Sequence, residues 1–92
     1  MKVRDLLTDE SKWCKLDYAR NKFGKGIDCD HPNACSWCLV GAIRKCYPDE
    51  HYDKVRMMYR LPVIQPSGVT GWNDAPERTF AEVRKLIEEL DI

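Results

Sequence analysis

The pattern of apolar and polar positions predicts a short N-terminal helix followed by a small hairpin. Val3, Leu6 and Leu7 have helical spacing, although the helix they predict is very short. Residues 16–28 predict a β-hairpin, because Asn21 and the glycines after it supply the positive φ that a tight turn needs. Since an isolated hairpin is weak, we expect it to pack against helices.

The segment 32–46 predicts a buried central helix. Asp30 is a suitable N-cap, Pro32 stands where a first-turn proline is tolerated, and apart from Ser36 the middle of the segment is apolar. A helix that is apolar nearly all round belongs inside a domain. Gly41 lowers helix propensity by about 1 kcal/mol, so we expect a neighbouring element to approach closely there.

Two amphipathic segments follow, separated by a loop. The first begins a helix at Asp49 or Glu50 and ends before Pro62. The segment 79–90 predicts a C-terminal amphipathic helix, since it opens on a capping box and keeps its apolar residues on one face. Residues 62–76 hold three prolines and two glycines and predict a long loop, which in a small domain is often functional.

These elements predict a mainly α fold of the α-rich α+β class. We expect one small domain over residues 1–92, because a chain of 92 residues has room for one core. Its parts are a central buried helix at about 32–46, a C-terminal helix at about 79–90 and a small hairpin at about 16–28.

Composition and charge limit the function classes. Fifteen basic and fifteen acidic residues cancel, which disfavours nucleic acid or an anionic membrane as a partner of the whole surface. No apolar run approaches the length of a membrane span, about 18 residues, and Asp5 interrupts the apolar N-terminal segment, so we expect no signal peptide. Five cysteines, an odd number, also argue against a secreted disulfide framework. We therefore expect a cytoplasmic protein.

Four residues are candidate zinc ligands: Cys29, His31, Cys35 and Cys38. Structural zinc takes four Cys and His ligands. On the predicted helix the last two cysteines share one face, and the other two side chains come from the loop before it. The spacing is not that of a common zinc finger, and cysteine also packs in cores as a small hydrophobe. Metal binding and core packing are both open.

A cysteine nucleophile is a further alternative. Cys35 or Cys38 would be the nucleophile, and His31 or His51 would be its base. A reactive thiol needs a lowered pKa and partial exposure. Cys35 fits the start of the predicted helix better than Cys38, but no signature sequence surrounds either residue.

The segment after Gly71 holds the candidate binding residues. Asn73 and Asp74 are suited to a polar ligand, with Arg78 as an anion clamp and Trp72 beside them. The alternative is structural: Asp74 or Thr79 caps the last helix while Trp72 fills the core. We place the expected recognition surface around the 62–78 loop, together with the hairpin.

Several motifs occur in combination along the chain: Trp13-Cys14, Tyr18-Ala19-Arg20, Trp37-Cys38-Leu39-Val40-Gly41-Ala42 and Trp72-Asn73-Asp74-Ala75-Pro76-Glu77-Arg78-Thr79, followed by Glu82-Val83. Together they resemble a family of small bacterial and phage proteins of unknown function, DUF6197. The resemblance spans about residues 6–90 and implies a compact domain of bacterial or phage origin, without implying an activity. Cys29, His31, Cys35 and Cys46 are additions to the shared pattern, which weakens zinc as a family property.

These observations favour a small non-enzymatic binding module. Its expected partner is another protein, a host protein if the source is a phage, and no cofactor is expected. A zinc-stabilised module and a small cysteine-dependent enzyme are the alternatives. The sequence gives no oligomeric state.

Overall fold

Helices make up most of the regular structure in the computed structural model, which describes residues 1–65 and 67–92. Within this part of the chain there are five α-helices, one 3-10 turn and three short strands. In chain order they are α1 (Val3–Leu6), the 3-10 turn (Glu10–Lys12), β1 (Ala19–Arg20), β2 (Gly26–Ile27), β3 (Ser36–Trp37), α2 (Leu39–Cys46), α3 (His51–Met58), α4 (Gly68–Asp74) and α5 (Phe80–Leu90). The predicted α-rich α+β class is confirmed.

The predicted hairpin is present and carries an additional strand. The sheet order is β2-β1-β3 with antiparallel pairing, so that Ala19 lies opposite Ile27 on one side and Trp37 on the other. At the hairpin tip, Asn21 Oδ1 accepts hydrogen bonds from the backbone N–H groups of Phe23 and Lys25. This Asx-type bonding defines the turn.

The prediction of a helix from residue 32 is wrong at its N-terminal end, because α2 begins at Leu39. Ser36 and Trp37 pair with β1 instead. The N-cap is Cys38, whose Sγ accepts a hydrogen bond from the backbone N–H of Gly41 at 3.3 Å. Periodicity alone does not separate a short buried strand from a buried helix, and here one apolar run contains both.

The close approach expected at Gly41 is confirmed. A Cβ atom built on Gly41 would lie 1.9 Å from the carbonyl oxygen of Tyr18. The same carbonyl accepts a hydrogen bond from the backbone N–H of Cys38 at 3.2 Å. The absence of a side chain at Gly41 therefore lets α2 lie directly against the segment that enters β1.

The predicted loop over 62–76 contains α4, so the prediction is wrong in its second half. Val69 and Trp72 are buried on this helix, and their packing outweighs the low helix propensity of the glycines. Pro66, one of the prolines that predicted the loop, lies outside the described residues.

The other predicted helices are confirmed. Glu50 is the N-cap of α3, and α5 opens on a capping box in which the side chain of Thr79 accepts from the N–H of Glu82 while the Glu82 carboxylate accepts from the N–H of Thr79. Arg84 of α5 donates to the carbonyl oxygens of Arg4 and Leu7 and so ties α5 to the N-terminal helix. No helix in the described ranges is both long enough and apolar enough to cross a bilayer.

The core unites side chains from all five helices. Its fully buried large apolar members are Val3, Leu7, Leu39, Ile43, Met58, Ile64, Val69, Val83, Ile87 and Ile92.

Substituting Gly41→Ala should lower the free energy of unfolding by about 3 kcal/mol, because the new methyl group meets backbone rather than a movable side chain. Urea unfolding measures the change. Gly24→Ala is the matched control: Gly24 has a left-handed φ of 78° but no atom within 4 Å of its added Cβ, so only backbone strain of about 1 kcal/mol applies. Equal losses for the two variants would contradict the close-approach explanation.

Candidate functional site

The side chain of Asn73 makes four hydrogen bonds in the interior of the protein, where it is 0% exposed. Its Oδ1 accepts from Trp13 Nε1 at 2.7 Å and from the backbone N–H of Leu39 at 3.0 Å. Its Nδ2 donates to the carbonyl oxygen of Cys14 at 3.2 Å and to Asp74 Oδ1 at 2.9 Å. Both donors and both acceptor positions of the amide are used.

These bonds join three separate parts of the chain. Asn73 lies on α4, Trp13 and Cys14 follow the 3-10 turn, and Leu39 is the first residue of α2. The N–H of Leu39 belongs to the first turn of a helix, where no intrahelical acceptor exists, and Asn73 supplies one. The candidate binding residue Asn73 is therefore a buried cross-link of the fold.

Arg78, the candidate anion clamp, links α4 to α5. Its guanidinium lies 4.1 Å from the ring centroid of Trp72, which is buried, and its Nε donates to the Trp72 carbonyl oxygen at 2.9 Å. Its Nη1 pairs with Glu82 at 2.7 Å. The prediction that Trp72 fills the core is thus confirmed. Of the two residues expected to cap the last helix, Thr79 rather than Asp74 is the N-cap of α5.

Asp74 lines a surface pocket beside Leu16. Its Oδ1 accepts from the backbone N–H of Leu16 at 2.9 Å as well as from Asn73. Leu16 has a left-handed φ of 75° and is 76% exposed. A cavity of about 400 Å³ opens beside them, lined by Leu16, Asp17, Tyr18, Cys38, Thr70 and Asp74.

The pocket continues past Tyr18 as an exposed apolar surface. The guanidinium of Arg44 lies 5.3 Å from the Tyr18 ring centroid. Beyond it a second, smaller cavity reaches Tyr52, whose side chain is 72% exposed. We call the surface formed by Leu16, Tyr18, Tyr52, Thr70 and Asp74 the Leu16 face.

The proposed zinc ligands have separate surroundings. Sγ of Cys35 donates to the carbonyl oxygen of Arg20, Sγ of Cys38 caps α2, and Nδ1 of His31 accepts from the backbone of Asn33. Cys29 is buried. Within residues 1–65 and 67–92, no group of three or more Cys, His, Asp or Glu side chains is arranged to hold a metal ion. Zinc binding by Cys29, His31, Cys35 and Cys38 stays a prediction.

The cysteines are described best by burial. Burial raises the pKa of the Cys38 thiol to about 11 and raises the pKa values of the Cys14, Cys29 and Cys46 thiols in the same direction. A thiol is nucleophilic as the thiolate, so the environment of Cys38 opposes the activation that a cysteine-dependent enzyme requires. All five cysteines are free.

The two histidines have partners other than sulfur. Nδ1 of His51 lies 2.9 Å from the carbonyl oxygen of Pro48, and Nδ1 of His31 faces the Asn33 backbone. In the described part of the chain neither ring is hydrogen-bonded to a cysteine. Among the described residues, no thiol and imidazole form the hydrogen bond that activates a cysteine nucleophile.

The sequence does not single out Leu16, Tyr18 or Tyr52 as binding residues, although Leu16 and Tyr18 lie in the predicted hairpin. Leu16 stands between charged neighbours in a segment without periodicity, so no pattern marks its exposure. Tyr52 has helical spacing with Val55 and Tyr59, which is typical of an apolar face, and only the tertiary packing shows that it faces solvent. A left-handed φ at a leucine has no sequence signal, because leucine rarely adopts it.

The chain belongs to a family of unknown function, DUF6197, whose model matches residues 1–90. No curated protein and no solved structure matches the chain. Membership confirms the resemblance seen in the motifs, and it carries no assigned activity.

Substituting Asn73→Ala should destabilise the protein by about 3 kcal/mol or more, because it leaves the buried groups of Trp13, Leu39 and Cys14 without their partner. Chemical denaturation measures the loss. Asn33→Ala, at an exposed asparagine, is the control and should change stability by no more than about 0.5 kcal/mol. A folded Asn73→Ala protein of wild-type stability would refute the cross-link.

Native Cys38 should react with iodoacetamide at pH 7.5 at least about 100-fold more slowly than an unfolded cysteine, since its raised pKa keeps it protonated. Peptide mass spectrometry after timed labelling reports each site, and labelling in guanidinium provides the unfolded rate. Rapid native alkylation of Cys38 would instead support the cysteine-enzyme alternative.

Proposed function

We propose that this protein is a non-enzymatic binding module that recognises another protein through the Leu16 face, and that the pocket beside Leu16 receives a lysine or arginine side chain of the partner. The observation that carries the proposal is Leu16 itself: a leucine held at φ 75° with 76% of its side chain exposed, at the mouth of a pocket.

The conformation of Leu16 is costly and gains nothing from burial. A left-handed backbone costs a non-glycine residue about 1–2 kcal/mol, and an exposed leucine returns none of that through the hydrophobic effect. The bond from its N–H to Asp74 holds the conformation. Strain kept at an exposed apolar residue beside a cavity is typical of binding sites, where the residue is buried by a ligand.

The pocket chemistry favours a basic side chain. Leu16 and Tyr18 provide apolar walls for the methylene groups of a lysine or arginine. The carboxylates of Asp17 and Asp74 lie in the same lining and would pair with its charged end. Both native bonds of Asp74 described above use Oδ1, which leaves Oδ2 as an acceptor for the partner.

The Leu16 face overlaps the recognition surface expected from the sequence. Thr70 and Asp74 come from the 62–78 region, and Leu16 and Tyr18 come from the segment predicted as a hairpin, which the sequence favoured as well. Tyr52 lies on α3. Asn73 and Trp72 support the surface from inside. We place the module in the cytoplasm of a bacterium or an infected host, since its five free thiols suit a reducing compartment, and a host protein is the expected partner if the source is a phage.

The zinc alternative has its own signature. It predicts about one zinc per chain and a melting temperature that falls when a chelator is added. Metal analysis of protein purified without chelator therefore separates it from a module that folds unaided.

Selection of random displayed peptides on the wild-type protein should enrich sequences in which Lys or Arg adjoins an apolar residue. Leu16→Gly should weaken the selected peptides at least about tenfold, because the anchor side chain is lost. Its stability should stay within about 1 kcal/mol of wild type or rise, since glycine accepts the left-handed backbone. Fluorescence anisotropy and urea unfolding measure the two effects.

Val63→Ala, at another exposed apolar residue, is the control for binding and should change affinity by no more than about twofold. Selected peptides without a basic residue, or peptides that bind Leu16→Gly as well as wild type, would sink the proposal.

A further inference from the structure

The charges of this neutral chain are unevenly distributed. Residues 12–25 contain five basic residues and one acidic residue, whereas the rest of the chain contains ten basic and fourteen acidic residues. The segment includes β1 and the hairpin tip. The net charge of zero therefore conceals a segment that is locally basic.

A groove of about 560 Å³ runs beside the hairpin and concentrates this charge. Its lining includes four basic side chains and one carboxylate: Lys15, Arg20, Lys22, Arg78 and Glu10. It is separate from the Leu16 pocket, whose lining shares none of these residues and has the opposite charge.

Three of the basic side chains are held in place by backbone carbonyl groups. Lys15 Nζ donates to the carbonyl of Ala75 at 2.8 Å, Arg20 Nη2 donates to the carbonyl of Lys15 at 2.8 Å, and Arg78 Nε donates to Trp72. Carbonyl partners orient a cation without cancelling its charge. Because these side chains are already ordered in the free protein, ligand binding loses less side-chain entropy.

Carboxylates compensate only part of this charge. Arg20 pairs with Asp17 at 2.8 Å and Arg78 pairs with Glu82 at 2.7 Å. In the described part of the chain, Lys15 and Lys22 form no ion pair. Both arginines also keep N–H donors that these bonds do not use. The groove therefore retains positive charge and donors for an anionic ligand.

The hairpin tip carries an exposed aromatic ring, that of Phe23. Phe23 lies between Lys22 and Gly24, which both line the groove, and it is 82% exposed. The Asn21 side chain fixes the turn by accepting the N–H groups of Phe23 and Lys25. A rigid tip thus presents an apolar surface next to the basic groove.

We propose that this groove binds a short acidic segment of a protein, whose Asp or Glu carboxylates pair with Lys15, Lys22 and the free N–H groups of the arginines while an apolar side chain of the segment packs on Phe23. Charge complementarity carries the assignment. It concerns a second surface and stands independently of the Leu16 face.

A nucleic acid is the less favoured polyanion. Its affinity depends on a basic track that follows many phosphates, and outside residues 12–25 acidic residues outnumber basic ones here. Single-strand binding also requires several aromatic stacking platforms. One exposed phenylalanine, with Lys22 Nζ 5.2 Å from its ring centroid, suits a single apolar contact.

The test uses the full chain and three labelled probes in fluorescence anisotropy at low and physiological salt. The probes are a short peptide of Asp and Glu residues with one central Trp, the same peptide with Asn and Gln in their place, and oligo-dT of matching charge. The acidic peptide should bind, the amide peptide should bind at least about tenfold more weakly, and affinity should fall with salt.

Lys22→Glu and Phe23→Ala should each weaken the acidic peptide, the former by about tenfold. Arg60→Glu makes the same charge change at an exposed residue outside the groove and should alter affinity by no more than about twofold, as should Leu16→Gly. Thermal melts of all variants check that the fold is intact, and neither Lys22 nor Phe23 has a buried contact to lose.

Four results would overturn the assignment. The first two are no binding of the acidic peptide, and equal weakening by Lys22→Glu and Arg60→Glu. The third is tighter binding of oligo-dT that Lys22→Glu abolishes, which would make the groove a nucleic-acid site. The fourth is a change from dimer to monomer on Lys22→Glu, measured by sedimentation, which would make a second copy of the chain the occupant.

Discussion

The amide of Asn73 is the constraint on which the rest of the structure depends. A buried amide without partners would cost several kcal/mol, yet here every donor and acceptor position has a partner, and three of the four bonds reach the Trp13–Cys14 segment and the start of α2. Because hydrogen bonds are directional, this arrangement permits one relative position of α4, α2 and the Trp13–Cys14 segment. Apolar packing alone would tolerate several positions.

A second constraint acts on the same first turn of α2. The missing side chain of Gly41 lets α2 touch the Tyr18 carbonyl, and the Cys38 N–H bonds to the same oxygen. Asn73 contacts α2 at Leu39 and the Tyr18 carbonyl contacts it at Cys38 and Gly41, so both ends of the segment between Cys14 and Tyr18 are fixed near the first turn of α2. Leu16 takes the left-handed one, with its N–H on Asp74. The exposed leucine and its pocket are thus consequences of how the interior is connected.

Much of the fold was predictable from local signals, and the site was not. The capping box at Thr79, the hairpin turn at Asn21 and the glycine at a close approach each have a physical requirement that one residue type meets. The errors arose where tertiary contacts outweigh local preference. Strand β3 (Ser36–Trp37) lies in an apolar run that has no strand periodicity. The glycines of α4 disfavour a helix, but the burial of Val69 and Trp72 stabilises it. The polarity of Asn73 indicates a binding residue. Whether a polar side chain faces solvent or joins a buried network, however, depends on neighbours distant in sequence.

The motifs that carry the family resemblance can now be explained physically. Trp13, Trp72–Asn73, Trp37–Cys38 and Gly41 are the donors, acceptors and close contacts that connect the interior. These residues stabilise the fold, so the family resemblance that rests on them indicates a fold without indicating an activity. Four exposed residues lie outside those motifs: Leu16, Lys22, Phe23 and Tyr52. Leu16 lines the pocket beside Asp74 and Lys22 lines the basic groove, whereas Tyr52 lines the smaller cavity beyond Tyr18. Because the scaffold makes its contacts through backbone and buried atoms, such surface residues can change without disturbing it. On the proposed functions, the choice of partner should therefore depend on Leu16 and the hairpin tip, together with the motif residues Tyr18 and Asp74 that line the same pocket.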